Sequence, residues 1–194
     1  MQRSDDILMT DFRNGDRGAF DLLVSRYKWD IFRFILSKVK DRELASDLTQ
    51  DVFVKIYKSA DTYFATGKFK AWIFRIAQNI CIDEFRRQKK TSIFSIHSEV
   101  NSENNDYSTQ ENQLQDKSAN PVREFEYLEL QGILENALNT IPEKQRTALV
   151  LCQYHGLSYY EIAEIQKCPV GTIKSRVHNA LLKMKEILKN KDIV

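Results

Sequence analysis

Apolar side chains recur every three or four positions through the first ninety residues of the chain. From Ile7 to Lys90 glycine and proline rarely interrupt them, and this period predicts helices rather than strands. Asn14-Gly15 predicts the first turn. Asp16 is placed to cap a long helix and Asp41 to cap the next one. A third long helix is predicted from about Phe69 to Lys89, so we expect a helical bundle.

The pattern stops between Thr91 and Asn120, where Ser, Asn, Gln, Asp and Glu dominate. Side chains of this kind bury too little apolar surface to offset the cost of ordering the backbone. We therefore predict a flexible acidic linker over residues 91–122.

Helical periodicity returns at Val122 and continues to Ile141-Pro142. A further helix is predicted from Glu143 to about His155, where Gly156 ends it. The chain is thus expected to be all-α, with two small helical domains at residues 1–90 and 123–194 joined by the linker.

The stretch from Ser158 to Arg176, SYYEIAEIQKCPVGTIKSR, predicts two short helices separated by a tight turn. Pro169 suits the first turn of the second helix, where its missing N–H costs nothing. That helix carries outward a set of donors suited to phosphates and base edges: Lys174, Ser175, Arg176, His178 and Asn179. A helix-turn-helix fits many regulators, so it predicts DNA contact without specifying the role.

The predicted third helix has one polar face and aromatic neighbours. Residues spaced by four, four and three share that face, and a further arginine extends it: Arg75, Asn79, Asp83, Arg86 and Arg87. Aromatic rings stand beside it: Tyr63, Phe64, Phe69 and Phe85. Cations interleaved with aromatics suit single-stranded DNA, because bases stack on rings and phosphates need cations. The alternative from spacing alone is that Phe69 and Phe85 are core and the arginines are solvated.

The second predicted helix presents another polar set away from its apolar side: Asp47, Gln50, Asp51 and Lys55. These residues suit a basic partner, although a solvated face is the usual explanation. A metal-dependent nuclease using Asp47 and Asp51 would need a third ligand nearby, and none is apparent. The sequence has no His-Glu-x-x-His motif, glycine-rich phosphate loop or nucleophile elbow. We therefore expect that the protein is not an enzyme and that it binds neither a metal nor a cofactor.

The composition of the chain indicates how charge is distributed and where in the cell the protein is expected. The 194 residues carry a net charge of +2, divided as +5 over residues 1–90, −5 over residues 91–126 and +2 over the rest. Two basic ends around an acidic middle are compatible with a polyanion partner. No signal peptide or membrane span is visible, so a cytoplasmic protein is expected. Three widely spaced cysteines predict neither disulfides nor a zinc site.

Three segments together resemble the extracytoplasmic-function group of bacterial RNA polymerase sigma factors. ELASDLTQDVFVKIYKSA and FKAWIFRIAQNICIDEFRR resemble region 2 of that family. IPEKQRTALVLCQYHGLSYYEIAEIQKCPVGTIKSRVHNALLKMKEIL resembles region 4. The resemblance covers nearly all of the chain except the linker, and the two motif blocks occur in the family's order.

The resemblance implies a protein that binds core RNA polymerase and directs promoter recognition, DNA melting and transcription initiation. The segment Asp47 to Lys55 would grip the β′ coiled coil, and the β flap and an anti-sigma factor are further expected partners. Ser59 to Lys68 would form a pocket for a flipped base of the minus-ten element, with Trp72 and the arginine face beside it. Thr172 and the outward donors of the last motif would bind the minus-thirty-five element in the major groove, with Arg176 on phosphate.

One departure from the family's pattern concerns the turn of the helix-turn-helix. Gln166-Lys167 stands where relatives usually have Leu-Gly, so the turn must be made without glycine, at some strain. An ordinary helix-turn-helix regulator with a ligand-sensing or dimerising first domain is the competing prediction. Such a regulator should need no polymerase.

Overall fold

The computed structural model describes residues 3–95 and 132–189, and both parts are helical. The first part contains α1 (Asp5–Arg13), α2 (Arg17–Val39), α3 (Arg42–Lys58), a single 3₁₀ turn (Ala60–Thr62) and α4 (Phe69–Ser95). The second part contains α5, described over residues 132–140, then α6 (Glu143–Gln153), α7 (Tyr159–Gln166) and α8 (Val170–Lys189). The predicted all-α class is confirmed. Most of the predicted linker, and residues 122–131 of the helical stretch expected from Val122, lie outside the described residues, whereas α5 agrees with the helix expected before Ile141-Pro142.

The predicted helix starts are confirmed by their capping bonds. Asp16 accepts a hydrogen bond from Ala19 N at 3.2 Å, and Asp41 accepts one from Leu44 N at 3.0 Å. Each side chain binds an N–H of the first turn, where the helix itself supplies no i−4 carbonyl. The predicted end of the third long helix is too early, because α4 continues past Lys89 to Ser95. Residues 90–95 contain neither glycine nor proline to stop it.

The core of the first part is built around α2, which packs against α1, α3 and α4. Its predicted apolar stripe is buried at Leu23, Tyr27, Ile31, Phe34 and Ile35. Helix α3 contributes the predicted Leu48, Val52 and Ile56. Burying each large aliphatic side chain stabilises the fold by about 1.5–3 kcal/mol, before the entropy of ordering is subtracted.

The second part contains the predicted helix-turn-helix as α7 and α8. Ser158 and Glu161 form a capping box at the start of α7, with Ser158 N donating to Glu161 Oε2 at 2.8 Å. The turn after α7 is made without glycine, as expected, because Lys167 adopts a left-handed conformation with φ of +51°. A non-glycine residue there costs about 1–2 kcal/mol. Helix α6 ends at Gln153, two residues before the predicted end.

The two parts pack against each other through α2 and α4 on one side and α6 and α7 on the other. Lys38, at the end of α2, has a side chain only 2% exposed. Its Nζ donates to Glu143 Oε1 at 3.2 Å and to Thr147 Oγ1 at 2.9 Å. Burial lowers the pKa of Lys38, although the carboxylate of Glu143 acts in the opposite direction. The pairing of this buried cation therefore depends on α6 being in place.

His155 makes the second close contact between the two parts. Its ring is 4.3 Å from that of Phe74 in α4, centroid to centroid, and Asp30 Oδ2 of α2 lies 3.9 Å from its Nδ1. Burial lowers the pKa of His155 from 6.5 to about 4, with Asp30 opposing and Lys70 adding to the shift. His155 is therefore neutral at neutral pH where the two parts are in contact.

Two smaller findings concern the state of the cysteines and the length of the helices. Cys81 is buried, while Cys152 and Cys168 are half-buried, and all three are free thiols. This confirms the expectation of small buried or half-buried side chains. Within residues 3–95 and 132–189, no helix has the length and apolar content needed to cross a membrane.

Candidate nucleic-acid interface

The loop between the 3₁₀ turn and α4 places two neighbouring aromatic rings in opposite environments. Tyr63 is 5% exposed, and its ring lies 4.8 Å from Trp72 and 5.6 Å from Phe69. Phe64 is 80% exposed. A large apolar ring left in solvent is available to stack on another flat group. The structure thus separates two residues that the sequence predicted to act alike.

Asp6 of α1 holds this loop in position. Its carboxylate accepts hydrogen bonds from the Tyr63 hydroxyl and from the backbone N–H of Gly67. Burial raises the pKa of Tyr63, and the bond to Asp6 raises it further. Sequence reasoning missed Asp6, since an acidic pair in the first turn of a helix is common near the positive end of the helix dipole. Nothing in its pattern indicates a loop nearly sixty residues later.

The loop and α4 form one wall of a cleft that α7 closes from the other side. The lining residues from the first part are Thr62, Tyr63, Phe64, Thr66, Lys68, Ala71, Trp72 and Arg75. Helix α7 contributes Glu161, Glu164 and Ile165. The first wall combines aromatic rings with two cations, which is the chemistry that single-stranded nucleic acid requires. The second wall is acidic.

The outward face of α4 continues this surface. Arg75, Asp83 and Arg86 are exposed, and Asn79 is half-buried. Arg86 lies 3.4 Å from Asp83, within one turn. Arg87 is 75% exposed and pairs at 2.8 Å with Glu84, which is 7% exposed. The exposed Arg86–Asp83 pair contributes little to stability, so the Arg86 guanidinium can exchange partners at small cost, whereas Arg87 is the partner of a buried carboxylate.

The alternative from spacing alone, that Phe69 and Phe85 are core and the arginines are solvated, agrees with the structure for Phe69 and for the exposed arginines but not for Phe85. Phe69 is 2% exposed and lies beneath Tyr63 and Trp72. Phe69, predicted to contact the minus-ten element, therefore supports the site from below in this structure. Phe85 is 39% exposed, and Trp72 is half-buried at the cleft.

A second surface lies on α3, where Asp47, Gln50, Asp51 and Lys55 are all exposed. Val54, between them, is 50% exposed. Carboxylates around an exposed apolar side chain are the composition expected of a protein-binding surface with a basic partner. In the described parts of the chain no three His, Cys, Asp or Glu side chains are grouped to hold a metal ion.

The third surface is the outward face of α8, where Lys174, Ser175, His178 and Asn179 are exposed. Thr172 is half-buried, and its carbonyl accepts a bond from Ser175 Oγ at 2.9 Å. These side chains stand on the second helix of the motif, where major-groove contacts are made in helix-turn-helix proteins.

Arg176 differs from its neighbours on α8 because it is half-buried and bonded to the turn. Its Nη1 donates to Gln166 Oε1, and it lies 3.3 Å from Cys168 Sγ. Gln166 in turn donates to the carbonyl of Lys144 at 3.1 Å. Arg176 and Gln166 thus tie α6, α7 and α8 together. A guanidinium has five N–H donors, so Arg176 retains donors for a phosphate.

Most of the chain matches protein-family models, and nearly all of it is similar to known proteins. Residues 23–91 match sigma-70 region 2, and residues 131–184 match sigma-70 region 4. The ECF RNA polymerase sigma-E factor of Haemophilus influenzae is 34% identical over 194 residues, covering 98% of this chain and 96% of that protein. The RNA polymerase sigma-H factor of Pseudomonas aeruginosa is 32% identical over 179 residues, covering 92% and 91%.

Two solved structures have the same fold. The sigma factor RpoE of Bartonella quintana, in complex with the anti-sigma factor NepR, aligns with a TM-score of 0.65 at 26% identity, covering 88% of this chain and 96% of that one. CnrH in complex with the cytosolic domain of CnrY aligns with a TM-score of 0.66 at 22% identity, covering 97% and 99%.

Proposed function

We propose a role for each of the three surfaces in a chain that belongs to the extracytoplasmic-function group of bacterial RNA polymerase sigma factors. The chain binds core RNA polymerase and directs promoter recognition, DNA melting and transcription initiation. Sigma factors are transcription factors rather than enzymes, and we infer that this chain catalyses no reaction itself. Residues 1–90 act as region 2 and residues 123–194 as region 4, with residues 91–122 as the tether.

The loop from Ser59 to Lys68 and α4 bind the non-template strand of the minus-ten element. Phe64, exposed in the lining of the cleft, stacks on an unpaired base, while the neighbouring Tyr63 packs with Phe69 and Trp72. Arg75, Asn79, Asp83, Arg86 and Arg87 contact duplex edges and phosphates along α4. The exposed Phe64 ring in a cleft that Lys68 and Arg75 also line is the observation that carries this assignment.

The outward side chains of α8 bind the minus-thirty-five element. Lys174, Ser175, His178 and Asn179 reach base edges in the major groove, whereas Thr172 and Arg176 are half-buried and bind at the edge of this surface. Arg176 fixes the turn through Gln166 and uses its remaining donors on phosphate. Substituting it therefore changes affinity for all promoters alike.

The exposed face of α3 grips core polymerase. Asp47, Gln50, Asp51 and Lys55 bind the β′ coiled coil, with Val54 as the apolar contact among them. Region 4 meets the β flap. The chain acts in the cytoplasm, where promoter DNA and polymerase are found.

An anti-sigma factor is the proposed negative regulator. RpoE of Bartonella quintana, 26% identical to this chain, is known in complex with the anti-sigma factor NepR. The similarity covers 88% of this chain, and we infer from it that a protein of the same class binds here.

Photo-crosslinking from position 64 tests the minus-ten assignment directly. Phe64 is replaced by a benzophenone amino acid, and holoenzyme containing it is irradiated on a promoter. We expect a crosslink to one non-template base of the minus-ten element in open complexes. The same amino acid at Tyr57 is the control, because Tyr57 is 51% exposed but packs against Phe12 and Phe20, outside the cleft. Equal crosslinking from both positions, or none from position 64, would overturn the assignment.

A further inference from the structure

The cleft proposed to take the minus-ten strand is already partly occupied by another part of the same chain. Helix α7 of region 4 forms its second wall, with Ile165 2% exposed and Glu161 and Glu164 beside it. A DNA strand entering the cleft would bring phosphates towards these two carboxylates. Like charges in a confined site repel, and the cost is larger where water is excluded. The arrangement seen here therefore disfavours minus-ten binding.

The acidic wall also matches the charge of the surface that it covers. Lys68 and Arg75 line the opposite wall, and both belong to the set proposed to bind DNA. The Glu161 carboxylate already accepts a hydrogen bond from Ser158 N in the capping box of α7. Glu164 is exposed and makes no such capping bond among the described contacts. Helix α7 thus presents negative charge where the phosphates of the promoter strand would otherwise lie.

A separate set of contacts holds α7 over the cleft. The buried amine of Lys38 reaches Glu143 and Thr147 of α6, and Arg33 Nη1 donates to the Tyr154 hydroxyl at 2.9 Å. His155, 3% exposed, is packed on Phe74. All three contacts join region 2 to region 4 and involve none of the residues proposed to bind DNA. We call Lys38, Glu143 and Thr147 the latch.

The latch is specific but adds little net stability. Burying the Lys38 amine costs hydration free energy, and its bonds to Glu143 and Thr147 offset about that amount. Removing one partner is different, because it leaves a buried charge without compensation. Such a contact selects one arrangement of the two regions and still allows it to open when polymerase binds them separately.

We propose that region 4 closes over the minus-ten site of the chain on its own, with α7 excluding the DNA strand and the latch holding the closed arrangement. The proposal rests on the minus-ten assignment made above. Its consequence is that the free chain binds minus-ten DNA weakly, since only the open fraction is competent. The apparent dissociation constant is the intrinsic value divided by that fraction.

Charge reversal in the latch tests closure without touching the cleft. Glu143→Lys places a second cation against Lys38, and Glu135→Lys makes the same change in charge at an exposed position of α5. We expect Glu143→Lys to enlarge the radius of gyration in solution scattering and to tighten binding of a single-stranded minus-ten oligonucleotide by about tenfold. Glu135→Lys should change neither quantity. The double variant Lys38→Glu, Glu143→Lys restores an opposite-charge pair and should return both towards wild type.

Labelling of Lys38 supplies a readout that needs no DNA. An amine-reactive reagent should modify the exposed Lys40 at least about tenfold faster than Lys38 in the wild type, because the closed form shields Lys38. The difference should shrink in Glu143→Lys. Equal labelling of both lysines in the wild type would overturn the closed form.

The possible outcomes separate closure from the minus-ten assignment. If Glu143→Lys expands the chain and binds the oligonucleotide no better than Glu135→Lys, α7 does not exclude DNA and the proposal fails. If the radius of gyration and the labelling rate of Lys38 are unchanged in Glu143→Lys, the latch does not hold the closed arrangement. If position 64 gives no minus-ten crosslink in holoenzyme, the minus-ten assignment fails and exclusion fails with it, whereas scattering and labelling still decide whether the latch exists.

Discussion

Replacing Phe64 with alanine is expected to impair strand opening without destabilising the protein. The ring is 80% exposed, so truncating it removes little buried area. The free energy of unfolding should therefore change by no more than about 0.5 kcal/mol. Loss of a base–aromatic stack costs about 1–3 kcal/mol, which corresponds to about a fivefold to 150-fold decrease in opening.

The neighbouring Tyr63 provides the matched comparison. Its ring is 5% exposed, lies 4.8 Å from Trp72 and is bonded to Asp6 through its hydroxyl. Tyr63→Ala should lower the free energy of unfolding by about 3–5 kcal/mol, as large-to-small changes of buried aromatics do. Tyr63→Phe should cost only about 1 kcal/mol, because it removes the hydrogen bond and keeps the ring.

Permanganate footprinting measures opening on a duplex promoter and on one with a pre-opened bubble. Phe64→Ala holoenzyme should show reduced reactivity of minus-ten thymines on the duplex and a smaller deficit on the bubble, where melting is already complete. Thermal unfolding of the same protein should match the wild type. Unchanged opening by Phe64→Ala, or a loss of stability comparable to that of Tyr63→Ala, would refute the inward and outward assignment of the two rings.

Three further predictions concern the outward face of α8, the exposed face of α3 and the contact between the two regions. Lys174→Ala or Ser175→Ala should change which minus-thirty-five bases are tolerated, by about 1–3 kcal/mol for a good base contact, whereas Arg176→Ala should weaken all sites alike in a promoter-library binding assay. An unchanged ranking of promoters for both base-contact variants would exclude their roles. Asp51→Lys should abolish co-purification with core polymerase while leaving circular dichroism unchanged, since it opposes a basic partner. Burial lowers the pKa of His155 from 6.5 to about 4, so its contribution to the closed form is complete above about pH 6.5 and lost as pH falls towards 4. Between about pH 7 and pH 5 the ratio of open to closed chain should rise about twentyfold in solution scattering, and His155→Gln should remove that response.

Local sequence signals predicted the helices well because the forces involved are local. Asp16 and Asp41 cap their helices by bonding to backbone three residues away. The apolar stripe of α2 and the exposed carboxylates of α3 follow from the helical period alone. The end of α4 was misplaced because composition, rather than a glycine or proline, was the only signal after Lys89.

The parts that could not be predicted depend on contacts between residues distant in sequence. Tyr63 and Phe64 lie in an irregular loop, where no period distinguishes an inward from an outward ring. Asp6 bonds to that loop from α1. Lys38 is buried only because α6, over a hundred residues later, supplies Glu143 and Thr147. A lysine on a helix is ordinarily solvated, so no pattern indicates its burial.

Run-off transcription with purified core RNA polymerase on genomic fragments tests the central claim most directly. Core enzyme with this chain should produce discrete transcripts whose start sites share upstream minus-ten and minus-thirty-five elements. Core enzyme alone, and core enzyme with the Asp51→Lys protein, should produce none of them. Specific DNA binding by the chain together with no polymerase-dependent transcript from any fragment would contradict the account and favour an ordinary helix-turn-helix regulator.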